Sequence, residues 1–288
     1  MFRIFRFPPK QRLLNNASGF ANTKCMLIDS HCHLDFPDFA PELDAVVARA
    51  RAAGVGRLIT ISTRVAKAAT YRAIAERYEE VFFTIGTHPH QAHEEPDVSV
   101  ADLVALSAHP KCVGIGEAGL DYHYDKSPRD IAARVFRAHI AAARATGLPL
   151  VIHARDADAD VEAILRDEHA KGAFRAVLHC FTSSAGLARA GLELGLYVSF
   201  SGVLTFKNSQ ALRDLARNVP LERLLVETDA PFLAPVPHRG KRNEPAFVAA
   251  TAAVLAELKG MSTDALAAAT TDNVLRLFGK MPAMATAA

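Results

Sequence analysis

Apolar runs of three to six residues alternate along this chain with longer stretches whose apolar positions recur at helical spacing. The short runs read as strands at 26–28, Arg57–Ser62, Val81–Ile85, Cys112–Gly116, Leu150–Ile152, Ala176–Leu178, Leu196–Phe200 and Leu224–Val226. Between them the spacing predicts helices. Pro41–Gly54 carries Leu43, Val46, Val47 and Ala50 on one face and closes on glycine, and Arg64–Tyr78, Val98–Ala108, Pro128–Thr146, Ala157–His169, Ala185–Leu194 and Ser209–Asn218 follow. Two more, Pro245–Leu258 and Ser262–Phe278, complete the pattern. Eight strands alternating with helices, and no internal linker, predict an α/β chain in which residues 26–279 form a single-domain (β/α)8 TIM barrel. An open doubly wound sheet would alternate similarly. The barrel is favoured by where the polar residues fall.

Half of the 288 residues are hydrophobic, enough for one large core. The formal net charge of +2 is unevenly spread: residues 1–25 hold Arg3, Arg6, Lys10, Arg12 and Lys24 and no acid, which leaves the rest mildly acidic. A protein that coats a nucleic-acid groove carries a strong positive balance, so contact with a polyanion must here be local or mediated by metal. The basic leader could be a targeting segment, yet Pro8-Pro9 breaks an early amphipathic helix and no secretory apolar run is present. A disordered extension, or a start assigned too far upstream, is expected for residues 1–25. No run approaches the roughly 18 apolar residues of a membrane helix, so no membrane partner is expected. Cys25, Cys32, Cys112 and Cys180 show no Cys-x-x-Cys spacing, which fits reduced thiols in a cytoplasmic protein. The Ala-rich tail, residues 280–288, is expected to fray.

Ionisable residues collect at the strand ends. His31 and His33 follow the first strand, and an alternation of two places both imidazoles on one side. A bare His-x-His is a weak signal. Glu117 follows strand four, His153 strand five, His179 strand six and Asp229 strand eight. Each alone has an ordinary explanation as a hydrogen-bonded histidine, a turn aspartate or a loop glutamate. Six at five strand ends are not required by barrel packing, and ionisable groups crowded at a partly buried mouth call for neutralisation. One catalytic metal takes about three protein ligands and a solvent position, so six donors predict two divalent cations about 3.5–4 Å apart, bridged by Glu117. Nitrogen and oxygen donors leave Zn2+, Mn2+ and Mg2+ open. Alternation should turn Cys32 and Cys180 away, into the packing around the barrel.

Seven ordered blocks then carry a resemblance: Asp29-Ser-His-Cys-His-Leu-Asp35, Gly86-Thr-His-Pro-His90, Gly114-Ile-Gly-Glu-Ala-Gly-Leu-Asp-Tyr122, Pro149-Leu-Val-Ile-His-Ala-Arg155, His179-Cys-Phe181, Glu227-Thr-Asp-Ala-Pro-Phe232 and Pro237-His-Arg-Gly-Lys-Arg-Asn-Glu-Pro245. Together they resemble the TatD family of metal-dependent deoxyribonucleases from Met26 to about Gly279. The resemblance implies a barrel of the wider amidohydrolase-like group, with metal ligands at His31, His33, Glu117, His153, His179 and Asp229. It does not account for residues 1–25.

Phosphodiester hydrolysis needs an activated water and neutralised phosphoryl oxygens, and two metals can supply both. Asp229 is expected as ligand and general base, with Glu117 as the bridge. The loop after strand eight, with Arg239, Lys241, Arg242 and Asn243, is expected to bind phosphate, since loops in that position often do. A solvated loop is the ordinary alternative. His88, His90 and Arg155 are expected at the mouth, His88 and Arg155 as substrate-binding groups, with simple exposure the equal alternative for His90 and His93. The reading is a monomeric, metal-dependent DNase, with exonucleolytic cleavage expected and RNA or small phosphodiesters as other substrates. A metal-dependent amidohydrolase or lactonase with the same ligands is the alternative. A non-catalytic nucleic-acid-binding module is third, because a structural site closes with about four ligands.

Overall fold

The computed structural model describes residues 26–283. The expected extension, residues 1–25, lies outside the described residues, as do residues 284–288 of the tail. Eight strands, β1 Leu27–Cys32, β2 Val55–Thr60, β3 Val81–Ile85, β4 Cys112–Asp121, β5 Leu150–Arg155, β6 Ala176–Leu178, β7 Tyr197–Phe200 and β8 Leu224–Val226, pair in parallel in sequence order. A bridge between Cys32 and Ala230, just beyond β8, brings the two edges of the sheet together into a barrel. Around it lie α1 Leu43–Ala52, α2 Ala68–Arg77, α3 Val100–Leu106, α4 Arg129–Thr146, α5 Asp158–Ala170, α6 Ala185–Glu193, α7 Gln210–Asn218, α8 Val248–Lys259 and α9 Thr263–Leu277. Among the described residues, no helix is long and apolar enough to cross a membrane.

Two apolar layers hold the barrel. The larger joins the outer faces of the strands to the helices. The smaller lies inside and takes Ile28, Ile59, Phe82, Val113, Val151, Val177, Tyr197 and Leu225, one from each strand. Val274, Leu277, Phe278 and Met281 pack onto this inner layer, so the end of α9 plugs the barrel at the opening where most strands begin. Of the residues expected to fray, 280–288, the first two are packed against the body, and 284–288 lie outside the described residues. Met281 is buried, and Lys280 Nζ donates to the carbonyls of Ser107 (2.9 Å) and His109 (2.7 Å). With one opening plugged by hydrocarbon, the other is left for polar chemistry.

Three strands run further than their apolar stretches suggest. β1 includes His31, β4 continues through Glu117 to Asp121, and β5 continues through His153 to Arg155. Glycine hides the length of β4. At Gly119, φ is +155° and a Cβ would lie 1.9 Å from the His153 carbonyl oxygen. A Cβ on Gly86 would lie 2.4 Å from Gly116 Cα. Bare backbone here lets β3, β4 and β5 approach closely where Glu117 emerges.

Helix α4 buries Ala132, Val135, Phe136, His139 and Ile140 at helical spacing. His139 fixes the segment after β3: its Nε2 accepts from Thr87 N–H at 2.9 Å, and its Nδ1 donates to the Val135 carbonyl at 2.8 Å. Burial lowers its pKa from 6.5 to about 4, with the Val135 bond only partly offsetting it. The unfolded chain accepts a proton below about pH 6.5 that the folded chain refuses. Stability is then full above that pH and falls as pH drops towards 4, by about 2–3 kcal/mol at pH 4.5. His139→Gln can still accept from Thr87, and urea unfolding at pH 7.5 and 4.5 should show this acid-dependent loss removed.

Candidate metal centre

The six residues expected as ligands converge in the open mouth. His31 Nε2 lies 3.2 Å from His33 Nε2 and 3.5 Å from both Glu117 Oε2 and Asp229 Oδ1. Asp229 Oδ1 is 3.4 Å from His33 Nε2. Across the centre, Glu117 Oε1 lies 2.6 Å from His179 Nε2 and 2.8 Å from His153 Nδ1. Donor atoms of His31, His33 and Asp229 lie within 4.8 Å of one another, as do those of His31, Glu117 and His179 and of His88, Glu117 and His153. Asp229 and Cys180 reach the mouth through left-handed backbone, with φ of 58° and 40°.

Outer partners orient the imidazoles. His33 Nδ1 lies 3.3 Å from the Ile61 carbonyl, His179 Nδ1 3.2 Å from Glu227 Oε1, and His153 Nε2 3.1 Å from Asp121 Oδ2. If each of those nitrogens carries the hydrogen, the other nitrogen turns its lone pair to the centre, as in a carboxylate–histidine–metal chain. His88 differs. Its Nδ1 accepts from His90 N–H at 3.0 Å, so in the neutral ring Nε2 bears the hydrogen and faces Glu117 Oε1 at 3.5 Å as a donor. Asp29 holds the turn that carries Asp229, accepting from Thr228 N–H at 2.9 Å and Thr228 Oγ1 at 2.6 Å. Burial pushes the Asp29 carboxyl up to about 8, against the hydrogen bonds from Thr228.

Burial works against charge on every group of the centre; neighbouring acids and imidazoles outweigh it at Glu117, Asp229, His33, His153 and His179, whereas burial wins at His31 and His88, which are held below the usual imidazole range. Glu117 is held well below the usual carboxylate range by His179, His88 and His153 despite its burial. His179 is raised well above the usual imidazole range, because Glu117 and Glu227 outweigh its burial. No lysine or arginine pairs with Glu117 or Asp229 among the described residues, and His31 Nδ1 is buried without a hydrogen-bond partner. A cluster of imidazole nitrogens and carboxylate oxygens with no lysine or arginine beside it fits a divalent metal.

The residues of the basic loop are placed apart from one another. Arg242 donates to the Asp38 carbonyl at 2.6 Å and to Glu42 at 2.8 Å, so it ties the loop to the segment before α1. Asn243 is buried and donates to the Thr228 and Phe232 carbonyls at 2.9 and 2.6 Å. Neither lines the cleft of about 950 Å3 above the centre, nor does exposed Lys241. Arg239 stacks over Phe206, a wall of the cleft, at 3.7 Å. His88, His90 and Arg155 line it, and so does Cys180, whose left-handed backbone breaks the alternation that should have turned it away. The orienting groups Asp121 and Glu227 were not singled out from sequence. They stand four residues after Glu117 and two before Asp229, and only the fold sets them against His153 and His179.

Comparison with known proteins gives one answer. The family model described as TatD related DNase matches residues 28–279. The chain is 44% identical over 253 residues to the uncharacterized metal-dependent hydrolase YabD of Bacillus subtilis (strain 168), covering 88% of this chain and 99% of that one. It is 36% identical over 260 residues to the 3'-5' ssDNA/RNA exonuclease TatD of Enterobacter lignolyticus, covering 88% and 99%. Among solved structures, YJJV, a TatD homologue from Escherichia coli K12, superposes with a TM-score of 0.83 at 32% identity, covering 90% and 99%.

The orientation of His179 can be tested directly. Glu227→Gln should weaken divalent-metal affinity by about 10- to 100-fold, measured by competition with a chromophoric chelator. Affinity equal to that of the unsubstituted protein would mean that Glu227 does not set the imidazole.

Proposed function

This chain belongs to the TatD related DNase family, and from that premise we propose that it cleaves phosphodiester bonds of single-stranded DNA at the mouth of the barrel. Being a metal-dependent hydrolase is the family's common ground; the substrate, the exonucleolytic mode and the use of two divalent cations are our reading. The observation that carries it is the division of Glu117. Its Oε1 faces His153 and His179 while its Oε2 faces His31, which stands with His33 and Asp229, so one carboxylate serves two donor groups. That is the arrangement a bridging ligand needs. When bound, divalent cations lower the pKa of water and neutralise charge on phosphoryl oxygens.

The protein's own residues do the rest. The Asp229 side chain is 15% exposed against 2% for Glu117, so Asp229 is the carboxylate that an attacking water can reach. Its pKa stays below the usual value because His33 and His31 outweigh its burial, so at neutral pH it is an ionised carboxylate with lone pairs free. His88 Nε2–H supplies a donor for a non-bridging phosphoryl oxygen. Phosphates further along the strand are held by Arg155 and Arg239. Both guanidinium groups lie over aromatic rings, Tyr124 at 4.8 Å and Phe206 at 3.7 Å, and neither has a carboxylate partner among the described residues. Arg64 and Arg242, by contrast, are neutralised by Glu94 and Glu42. A cation without a carboxylate partner in the cleft, Arg155, and another over its Phe206 wall favour a polyanionic substrate over the amide or lactone of an amidohydrolase. RNA and small phosphodiesters share the same chemistry.

Asp229→Asn should lower kcat on a labelled single-stranded oligonucleotide by about 10^2- to 10^4-fold, with the thermal unfolding midpoint little changed. A near-normal rate would contradict the assignment of the base. Arg155→Ala should raise KM and flatten the slope of log KM against log salt by about one. Metal-loaded protein that cleaves no oligonucleotide would favour the amidohydrolase or lactonase reading.

A further inference from the structure

Two phenylalanine rings stand on the rim beside His33. Phe36, in the segment after β1, stacks on the His33 ring with centroids 4.9 Å apart and planes 26° apart. Phe232, in the segment after β8, meets Phe36 edge to face at 5.7 Å and 83°. Both line the cleft. Phe232 is 50% exposed, although the barrel has ample hydrocarbon in which to bury a phenyl ring. Of the exposed large apolar side chains among the described residues, only Tyr124 and Phe232 face this cleft.

The exposed ring is held in place. Phe232 N–H donates to the Asp229 carbonyl at 2.9 Å, and the Phe232 carbonyl accepts from buried Asn243 at 2.6 Å. Asn243, which belongs to the basic loop but does not reach the cleft, thus fixes the backbone that presents the ring. The charges divide in the same way. Lys67, near the Phe36 side, pairs with Asp35, whereas Arg155 and Lys126 on the opposite rim have only the Tyr124 ring as partner among the described residues. One rim offers a fixed aromatic surface, and the other offers Arg155 and Lys126 without carboxylate partners.

We propose that Phe36 and Phe232 form a stacking platform for the nucleobase of the nucleotide whose phosphodiester is cut, while the phosphates of the continuing strand run to the Arg155 and Lys126 rim. This rests on the phosphodiesterase reading above and names what that site recognises: a base with its own π-face, at the nucleotide next to the metal donors. Base–aromatic stacking tolerates every base and is lost when the base is removed. Asn243 is a positioning residue for the platform.

The test compares single-stranded oligonucleotides with a natural terminal nucleotide and with a tetrahydrofuran abasic residue at the 3' or the 5' terminus. It uses the full-length Mn2+-loaded protein. The natural terminus should be preferred in kcat/KM by about tenfold, within the range that one stacked base contributes. Phe232→Leu, which keeps hydrocarbon but loses the π-face, should bring the ratio towards one, and Phe232→Tyr should restore it. A ratio unchanged in Phe232→Leu, or no preference in the unsubstituted protein, overturns the platform. The second readout is calorimetric binding of dTMP against deoxyribose 5-phosphate, which needs no turnover. A Phe232-dependent preference for dTMP without any oligonucleotide cleavage would support the platform and end the phosphodiesterase reading. Cleavage without such a preference would do the reverse.

Discussion

A carboxylate buried among imidazoles is the constraint on which this protein is built. Glu117 is 1% exposed, and an isolated charge at that depth would be too costly to keep. It is tolerated because His179 and His153 bring nitrogens to within 2.6 and 2.8 Å of one of its oxygens, with His31 close to the other. Those imidazoles are themselves crowded, and they depend on the acid in turn. The centre is therefore a set of groups each unfavourable alone, stable only together and completed by a cation.

The barrel exists to deliver those groups from strands far apart in the chain. β1, β4, β5 and β6 and the turn after β8 each contribute, and their ends meet because the strands pair in register around one ring. Precision comes from the outer contacts. Asp29 fastens the Thr228 turn across 199 residues, Asp121 takes His153, and Glu227 takes His179 as well as the Cys180 backbone amide at 2.7 Å. Apolar packing at the other opening, with Phe278 and Met281 over the inner layer, leaves the mouth free of any structural task.

Much of this was legible in the sequence, for physical reasons. Strand and helix periods are local, so the alternation of elements could be read from residue spacing alone. The convergence of the six donors followed from one rule of the fold, that strand ends meet. What sequence could not show was contact at a distance. Asp121 and Glu227 look like ordinary acids until the fold sets them against imidazoles. Arg242 looks like a phosphate ligand until Glu42, some 200 residues away, neutralises it. The glycines of β4 read as the end of a strand, because the close approach of β3 and β5 that requires them is tertiary. Met281 sits in an Ala-rich tail whose composition suggests fraying, while its burial depends on a barrel floor built from all eight strands.

We propose that Glu117 joins two divalent cations in one centre. Metal content per chain, measured after equilibration with Mn2+ and removal of the free ion, tests it most directly when the unsubstituted protein is set beside Glu117→Ala and His153→Ala. Two ions should be bound by the unsubstituted chain, one by His153→Ala, and neither tightly by Glu117→Ala. A single ion in the unsubstituted protein, or two ions retained by Glu117→Ala, would contradict the shared-carboxylate centre.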